Sequence, residues 1–123
     1  MKHSEEFLAI VAESSARVRE CTVDDVVQWR KATKPIEIID VREDSEWNSG
    51  HIAGAIHLGR GVIERDIVAQ LPDKNAEIVL YCGGGFRSAL AADNLQRMGY
   101  ACVWSMAGGW KAWTAQNLPT ESP

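Results

Sequence analysis

Cys82-Gly83-Gly84-Gly85-Phe86-Arg87 places a nucleophilic sulfur, three glycines and a permanent cation in one short stretch. An apolar run, Ile78-Val79-Leu80-Tyr81, precedes it and reads as a buried strand; Ser88 to Met98 follows and reads as a helix. A cysteine at such a junction lies among backbone N–H groups and a helix N-terminus, which together stabilise an anion. The same surroundings favour thiolate over thiol, and the thiolate is the nucleophile. Consecutive glycines let the main chain bend round a sulfur with no Cβ in the way, and Arg87 sets a positive charge at the end of the turn. A lone cysteine is otherwise a small apolar packing residue. Strand, cysteine, glycines, arginine and helix in this order favour an anion cradle holding a nucleophile.

The elements that must position this loop follow from pattern. Residues 4–19 read as an amphipathic helix, with Phe7, Ile10, Val11 and Val18 at near-helical spacing, Glu5 and Glu6 at its start and Arg17 and Arg19 at its end. Thr22-Val23-Asp24-Asp25 has the form of a variant capping box and opens a helix to about Ala32. Ile36 to Val41 is a nearly continuous apolar run, as in a strand buried on both faces. A short helix at Ser45–Asn48 stops at Gly50; Ala55–Leu58 is a weaker strand, and Val62–Gln70 is helical up to Leu71-Pro72-Asp73. Gly99 suits a helix C-cap, Ala101–Ser105 a last strand, Trp110–Gln116 a last helix, and Thr120–Pro123 a loose tail. Alternating strands and helices imply an α/β fold with a mainly parallel sheet. Ligands of such sheets bind beyond the carboxyl ends of the strands, which is where Asp40–Arg42 and Cys82–Arg87 both fall.

Composition narrows the classes. A chain of 123 residues, 46% apolar and 24% charged, forms one domain with its own core and needs no disulfide or metal to fold. A net charge of −4 without a basic run argues against nucleic acid as a partner. Cys21, Cys82 and Cys102 are unclustered and odd in number, which fits a reducing compartment; Cys21 and Cys102 sit in apolar contexts and read as packing residues. Neither CxxC nor zinc-like histidine spacing occurs, so no metal is expected. The apolar run Phe7–Ala12 is too short to span a membrane, and acidic Glu5 and Glu6 are the wrong prelude for a signal peptide. The expected setting is cytoplasmic, with no membrane contact.

Four residues separate Cys82 from Arg87. Protein tyrosine phosphatases use a Cys–Arg loop one residue longer, and the GxxxxGK pattern of nucleotide-binding loops is missing. A shorter cradle suits an anion centred on one sulfur. Three blocks in order then make the chain, from about Thr22 to Pro119, resemble the rhodanese-like sulfurtransferases. They are Asp40-Val41-Arg42-Glu43 running through Glu46-Trp47 to Gly50-His51-Ile52-Ala53-Gly54-Ala55, then Tyr81 to Ser88, then Gly108-Gly109-Trp110-Lys111-Ala112-Trp113 with Leu118-Pro119.

The resemblance implies five parallel strands flanked by helices, with residues 1–20 as an added N-terminal helical extension, 21–119 as the rhodanese-like domain and 120–123 as a tail. It implies a persulfide carried on Cys82 and double displacement. The Cys82 thiolate takes a sulfane sulfur from thiosulfate or a low-molecular-weight persulfide, and a thiol or cyanide then removes it. Loop amides from Gly83, Gly84, Gly85, Phe86, Arg87 and Ser88 would hold the negative charge. No cofactor is implied.

Other positions carry weaker expectations. Asp40 and Arg42 share a strand face; either Arg42 attracts an anionic donor at the site wall, or the two brace the loop, with Asp40 a candidate holder of Arg87. Bracing is preferred for Asp40, and Arg42 stays open between the two. His51 reads as a structural hydrogen-bonding residue, as do Glu46 and His57, because a pre-formed thiolate needs no base. Trp110 and Trp113 read as core anchors. Phe86 lies inside the loop and can face an apolar substrate or a partner. Arg60 matches an arginine in some single-domain relatives and is either a second charge at the pocket entrance or an ordinary solvated side chain.

Ala53 and Gly59 replace prolines common in that family, and Asn117 a common glycine. The loop also lacks a cation before Arg87, which predicts weak capture of dianionic thiosulfate and a preference for a persulfide or a protein donor. The rival readings are a sulfur-carrier or interaction module loaded by a protein partner, whose cues are the N-terminal helix and Phe86, and a cysteine-dependent phosphatase or arsenate reductase.

Overall fold

The computed structural model describes residues 2–123. Its architecture follows from two strongly apolar strands. β5 (Glu77–Tyr81) and β2 (Glu37–Asp40) are buried along nearly their whole length, as their unbroken apolar runs require. They pair in parallel, Ile38 opposite Val79 and Ile39 opposite Leu80. β6 (Cys102–Met106) lies on the other side of β5, with β1 (Arg19–Cys21) beyond it, while β4 (Ile56–His57) closes the sheet beside β2. Among the described residues this makes one five-stranded sheet, β1-β6-β5-β2-β4, parallel at every pairing. β5 is its centre, so Cys82 emerges from the most enclosed strand.

Helices cover both faces. α4 (Ile63–Gln70) and α5 (Phe86–Arg97) seat Ile63, Ile67, Ala91 and Leu95 against Ile39, Ile78 and Leu80. On the other face α2 (Val23–Lys31) and α6 (Gly109–Ala115) bring Val26 and Trp113 against Ile38, Val79 and Tyr81. Each fully buried aliphatic side chain of this kind contributes roughly 2 kcal/mol. The capping box of α2 is present, with Asp25 N–H donating to Thr22 Oγ1 at 3.0 Å and Thr22 N–H donating to Asp25 Oδ2 at 2.9 Å.

Two expectations are corrected. The first helix, α1 (Glu5–Ser15), ends before Arg17, and Arg19 lies in β1. Arg17 serves as an anchor, 2.7 Å from Asp93 on α5, and the Arg19 guanidinium lies 4.4 Å from the Trp104 ring centroid. Pairing to β6 thus captures a segment whose charges alone suggest a helix end. The tail is also engaged: β7 (Thr120–Glu121) pairs antiparallel with β3 (His51–Ile52). Trp113 Nε1–H and Ala53 N–H both donate to the Pro119 carbonyl, at 3.0 and 3.2 Å.

The chain's path sets the position of the site. From β2 it moves outward to β4, recrosses through α4 to β5, then moves outward the opposite way to β6. Connections therefore diverge between β2 and β5, and a crevice opens at their carboxyl ends. Short α3 (Asp44–Ser49) sits over that end, and the Cys82 loop forms its neighbouring wall.

Candidate active site

Cys82 is 1% exposed, and its sulfur faces inward on the loop. Gly85 N–H and Ser88 N–H both point at Sγ, with N–S distances of 3.1 and 3.4 Å. Gly85 has φ +108°, a left-handed conformation that L side chains rarely adopt, and it caps α5. This geometry turns its amide towards the sulfur. The N-terminus of α5 adds its dipole in the same direction. In the thiol form Cys82 donates to Ser88 Oγ at 3.6 Å, and that hydroxyl lies 2.8 Å from Ser105 Oγ and 3.1 Å from the Gly85 carbonyl. A hydroxyl with this choice of partners can rotate to donate to a sulfur anion.

The loop is held from behind by α6. Trp110 N–H donates to the Cys82 carbonyl at 2.8 Å, and Lys111 N–H to the Gly83 carbonyl at 3.1 Å. Gly109, at φ +51°, is where the chains touch; a Cβ there would collide with the Cys82 carbonyl oxygen. The third sequence block thus supports the second. Trp113 is fully buried, whereas half-buried Trp110 lies with its ring centroid 4.6 Å from the Arg42 guanidinium.

The Asp40 expectation needs correction in its detail. Asp40 does not hold Arg87. Its carboxylate takes Arg42 Nη2–H at 2.8 Å, Arg42 Nε–H at 3.1 Å, the Arg42 amide at 2.8 Å and the Tyr81 hydroxyl at 2.6 Å. Arg42 is 3% exposed and also donates to the Gly50 carbonyl at 2.7 Å. Burial opposes its charge, but the hydrogen bonds and charge of Asp40 outweigh that and raise its pKa. Burial, then the bond to Asp40, push the Tyr81 phenol far up, so it stays a neutral donor. This network ties β2, β5 and the α3–β3 turn together.

Glu46 takes the place expected of Asp40. Arg87 Nη1–H donates to Glu46 Oε1 at 2.7 Å and Nη2–H to Oε2 at 3.1 Å, a two-pronged pair with side chains 30% and 35% exposed. Each partner favours the other's charge: the bond from Arg87 lowers the Glu46 pKa, and the bond to Glu46 raises that of Arg87. Glu46 Oε1 also accepts from Glu43 N–H at 3.0 Å, at the start of α3.

His51 is buried, stacked on Trp47 at 3.4 Å between ring centroids and 2° between planes, with Nδ1 3.2 Å from the Trp47 carbonyl. His57 also stacks on Trp47, at 4.9 Å between ring centroids. Arg60 lines a depression of about 530 Å³ with Arg42, His57, Leu58 and Asp66, none of them in the Cys82 loop. Its Nε is buried and has no hydrogen-bond partner among the described residues.

Phe86 is 39% exposed, and its ring meets two others, His3 at 5.2 Å and Phe7 at 6.1 Å. The N-terminal helix and the loop aromatic, separate features in the sequence, thus form one patch beside the site. Sequence reasoning missed Ser105, the Glu46–Arg87 pair and this junction. Ser105 left a trace, a lone hydroxyl in the otherwise apolar Cys102–Met106 run; the pairs of distant residues left none.

The rhodanese-like domain family model matches residues 22–116. The chain belongs to the rhodanese-like family. Thiosulfate sulfurtransferase GlpE of Shewanella oneidensis is 33% identical over 96 residues, covering 78% of this chain and 92% of that protein. YrkF of Bacillus subtilis, named for sulfur carriage, is 29% identical over 106 residues, 86% of this chain. This rhodanese-like chain spans only 56% of the length of that relative. A solved Rhodopseudomonas palustris structure, described as a possible tyrosine phosphatase, superposes with a TM-score of 0.84 at 30% identity, covering 98% of each chain. Of these relatives, the Shewanella protein is named for thiosulfate sulfur transfer and the Bacillus protein for sulfur carriage. Helix α1 precedes the matched residues and packs on α5.

Proposed function

We propose that the protein is a sulfurtransferase that carries a sulfane sulfur as a persulfide on Cys82. The observation that carries this reading is the sulfur itself, which receives two backbone N–H groups at the N-terminus of α5. That is the arrangement a thiolate and its persulfide need, with negative charge on one sulfur throughout. In the first step the Cys82 thiolate attacks the sulfane sulfur of a donor. The new S–S bond forms from the thiolate's electron pair, and the donor's S–S pair leaves with the departing sulfite or thiolate. A thiol or cyanide then attacks the outer sulfur and Cys82 leaves as thiolate, so neither step needs an outside oxidant or reductant. Gly83, Gly84, Gly85, Phe86, Arg87 and Ser88 form the binding loop; Asp40 and Arg42 brace the end of β5 that carries it, His51 braces α3 through Trp47, and Arg60 lies outside the immediate cradle.

Intact mass spectrometry of the reduced protein after glutathione persulfide or thiosulfate tests this. One added sulfur, removable by cyanide and absent in Cys82→Ser, is the expected result. If the wild type gains sulfur from neither donor, small-molecule transfer is wrong. The name of the Bacillus relative supports a carrier variant of the same chemistry, which would load once and stall without a protein partner. A phosphatase reading draws on the description of the Rhodopseudomonas protein. The short Cys82–Arg87 spacing and the engagement of Arg87 by Glu46 weigh against it. No hydrolysis of p-nitrophenyl phosphate is expected.

A further inference from the structure

Arg87 is the lone cation in the sequence Cys82–Ser88, and its guanidinium lies beside the start of the loop, where a Cβ on Gly83 would come within 3.2 Å of Nη2. Its charge therefore acts on an anion that reaches Cys82. Glu46 already grips Arg87 with both oxygens, at 2.7 and 3.1 Å. The neighbouring arginine of the crevice, Arg42, is likewise matched by a carboxylate, Asp40. Glu46 does not depend on Arg87 for its place: it is fixed on the first turn of α3 by the Glu43 amide at 3.0 Å. If Arg87 swung towards a donor, the carboxylate would stay behind, on the wall of a depression of about 350 Å³ that it shares with Ser45, Ser49 and Trp110.

Resting on the sulfur-transfer reading, we propose that Glu46 sets the charge selectivity of the Cys82 site, turning it against dianionic donors such as thiosulfate and towards persulfides whose charges lie far from the reacting sulfur. Attack on thiosulfate brings the Cys82 thiolate, with one negative charge, against a dianion. It yields the Cys82 persulfide anion and sulfite, so three negative charges share the site from start to finish. A free Arg87 would offset one of them, and Glu46 cancels that help. A persulfide donor with a remote carboxylate brings less charge to the reacting end and does not need Arg87. Both side chains are about one-third exposed, so water weakens the effect without removing it.

The test is Glu46→Gln, whose amide oxygen can still accept from Arg87 and from the Glu43 amide. The ratio of thiosulfate to glutathione persulfide loading rates at Cys82, read by time-resolved mass spectrometry, is expected to rise about ten-fold. A purely structural role for Glu46 would slow both donors together and leave the ratio where it was. Alkylation of Cys82 provides a second readout that needs no sulfur transfer. The rate with anionic iodoacetate relative to neutral iodoacetamide should rise severalfold in the variant. Should the wild type accept no sulfur, the transferase reading fails, yet the alkylation ratio still decides whether Glu46 governs charge at the sulfur. An alkylation ratio equal to or below that of the wild type overturns the proposal.

Discussion

At the scale of single residues, the site separates groups that touch the sulfur from groups that hold those in place. Ser88 belongs to the first kind, through its amide at 3.4 Å and its hydroxyl at 3.6 Å from Sγ; Ser105 belongs to the second, through its 2.8 Å contact with the Ser88 hydroxyl. Hydrogen bonds to a charged acceptor contribute about 1.5–3 kcal/mol. Ser88→Ala is therefore expected to slow persulfide loading about ten-fold or more while leaving the backbone amides in place. Ser105→Ala acts at one remove and should cost less, about three-fold, by letting the Ser88 hydroxyl drift to the Gly85 carbonyl. Loading rates of both variants with glutathione persulfide check this. A Ser105 effect larger than that of Ser88 would place Ser105 in a different role. Cys21, by contrast, is a packing thiol: burial, aided by nearby Asp25, pushes its pKa up to about 12, so it stays protonated and unreactive at neutral pH.

At the scale of elements, α1 is attached to the domain by one polar cluster and one apolar one. Asp93 on α5 receives Arg17 and the Ser14 hydroxyl, at 2.7 and 3.0 Å, and Val11 is buried alongside. The bond from Arg17 depresses the Asp93 pKa, with Ser14 helping. A carboxyl that binds its proton less readily folded than unfolded stabilises the fold fully above its unfolded pKa, about 4. That contribution disappears as pH falls through the lower folded value. As pH falls below about 4, α1 should therefore loosen before the sheet does. Hydrogen exchange read separately over residues 5–15 and over β5 checks this; simultaneous loss of protection in both would show that α1 is not a separate unit. Release of α1 would also withdraw Phe7 from Phe86. Elements differ in how well the sequence announces them. β2 and β5 were legible because central strands of a parallel sheet are apolar on both faces. β1 was not, because Arg19 and Glu20 are exposed residues on an edge strand and carry no such pattern. The loop itself was legible from residue types in sequence. Its partner Glu46, 41 positions away from Arg87, was not, since only the seating of α3 beside the loop brings them together.

At the scale of the whole molecule, the site depends on how far the chain closes on itself. The last residues tie α6 to the β3 turn: the Pro119 carbonyl accepts from α6 through Trp113 and from the β3 turn through Ala53, and Glu121 Oε1 takes the Gly54 amide of the same turn at 2.8 Å. β3 follows directly on α3, the helix that carries Glu46, and α6 supplies the amides behind Cys82. Residues 120–123, read from sequence as a loose tail, are thereby linked to the β3 wall through Glu121 and the β7 pairing, while Pro119 just before them reaches α6, although residues 119–123 are all exposed. Removing residues 119–123 abolishes these bonds and the β3–β7 pairing. Each net hydrogen bond contributes about 1 kcal/mol, and the exposed ones less, so a loss of about 2 kcal/mol is expected. For a domain of this size that corresponds to a fall in Tm of roughly 10 °C. The stability loss should come with a site effect, because α3 and α6 lose a shared tether: at a temperature where the shortened protein is still folded, alkylation of Cys82 by iodoacetamide should change in rate. Calorimetry and alkylation of the same preparation check the two together. A lowered Tm with unaltered alkylation would confine the tail to stability and leave the geometry of the crevice to the sheet and the Asp40–Arg42–Tyr81 network.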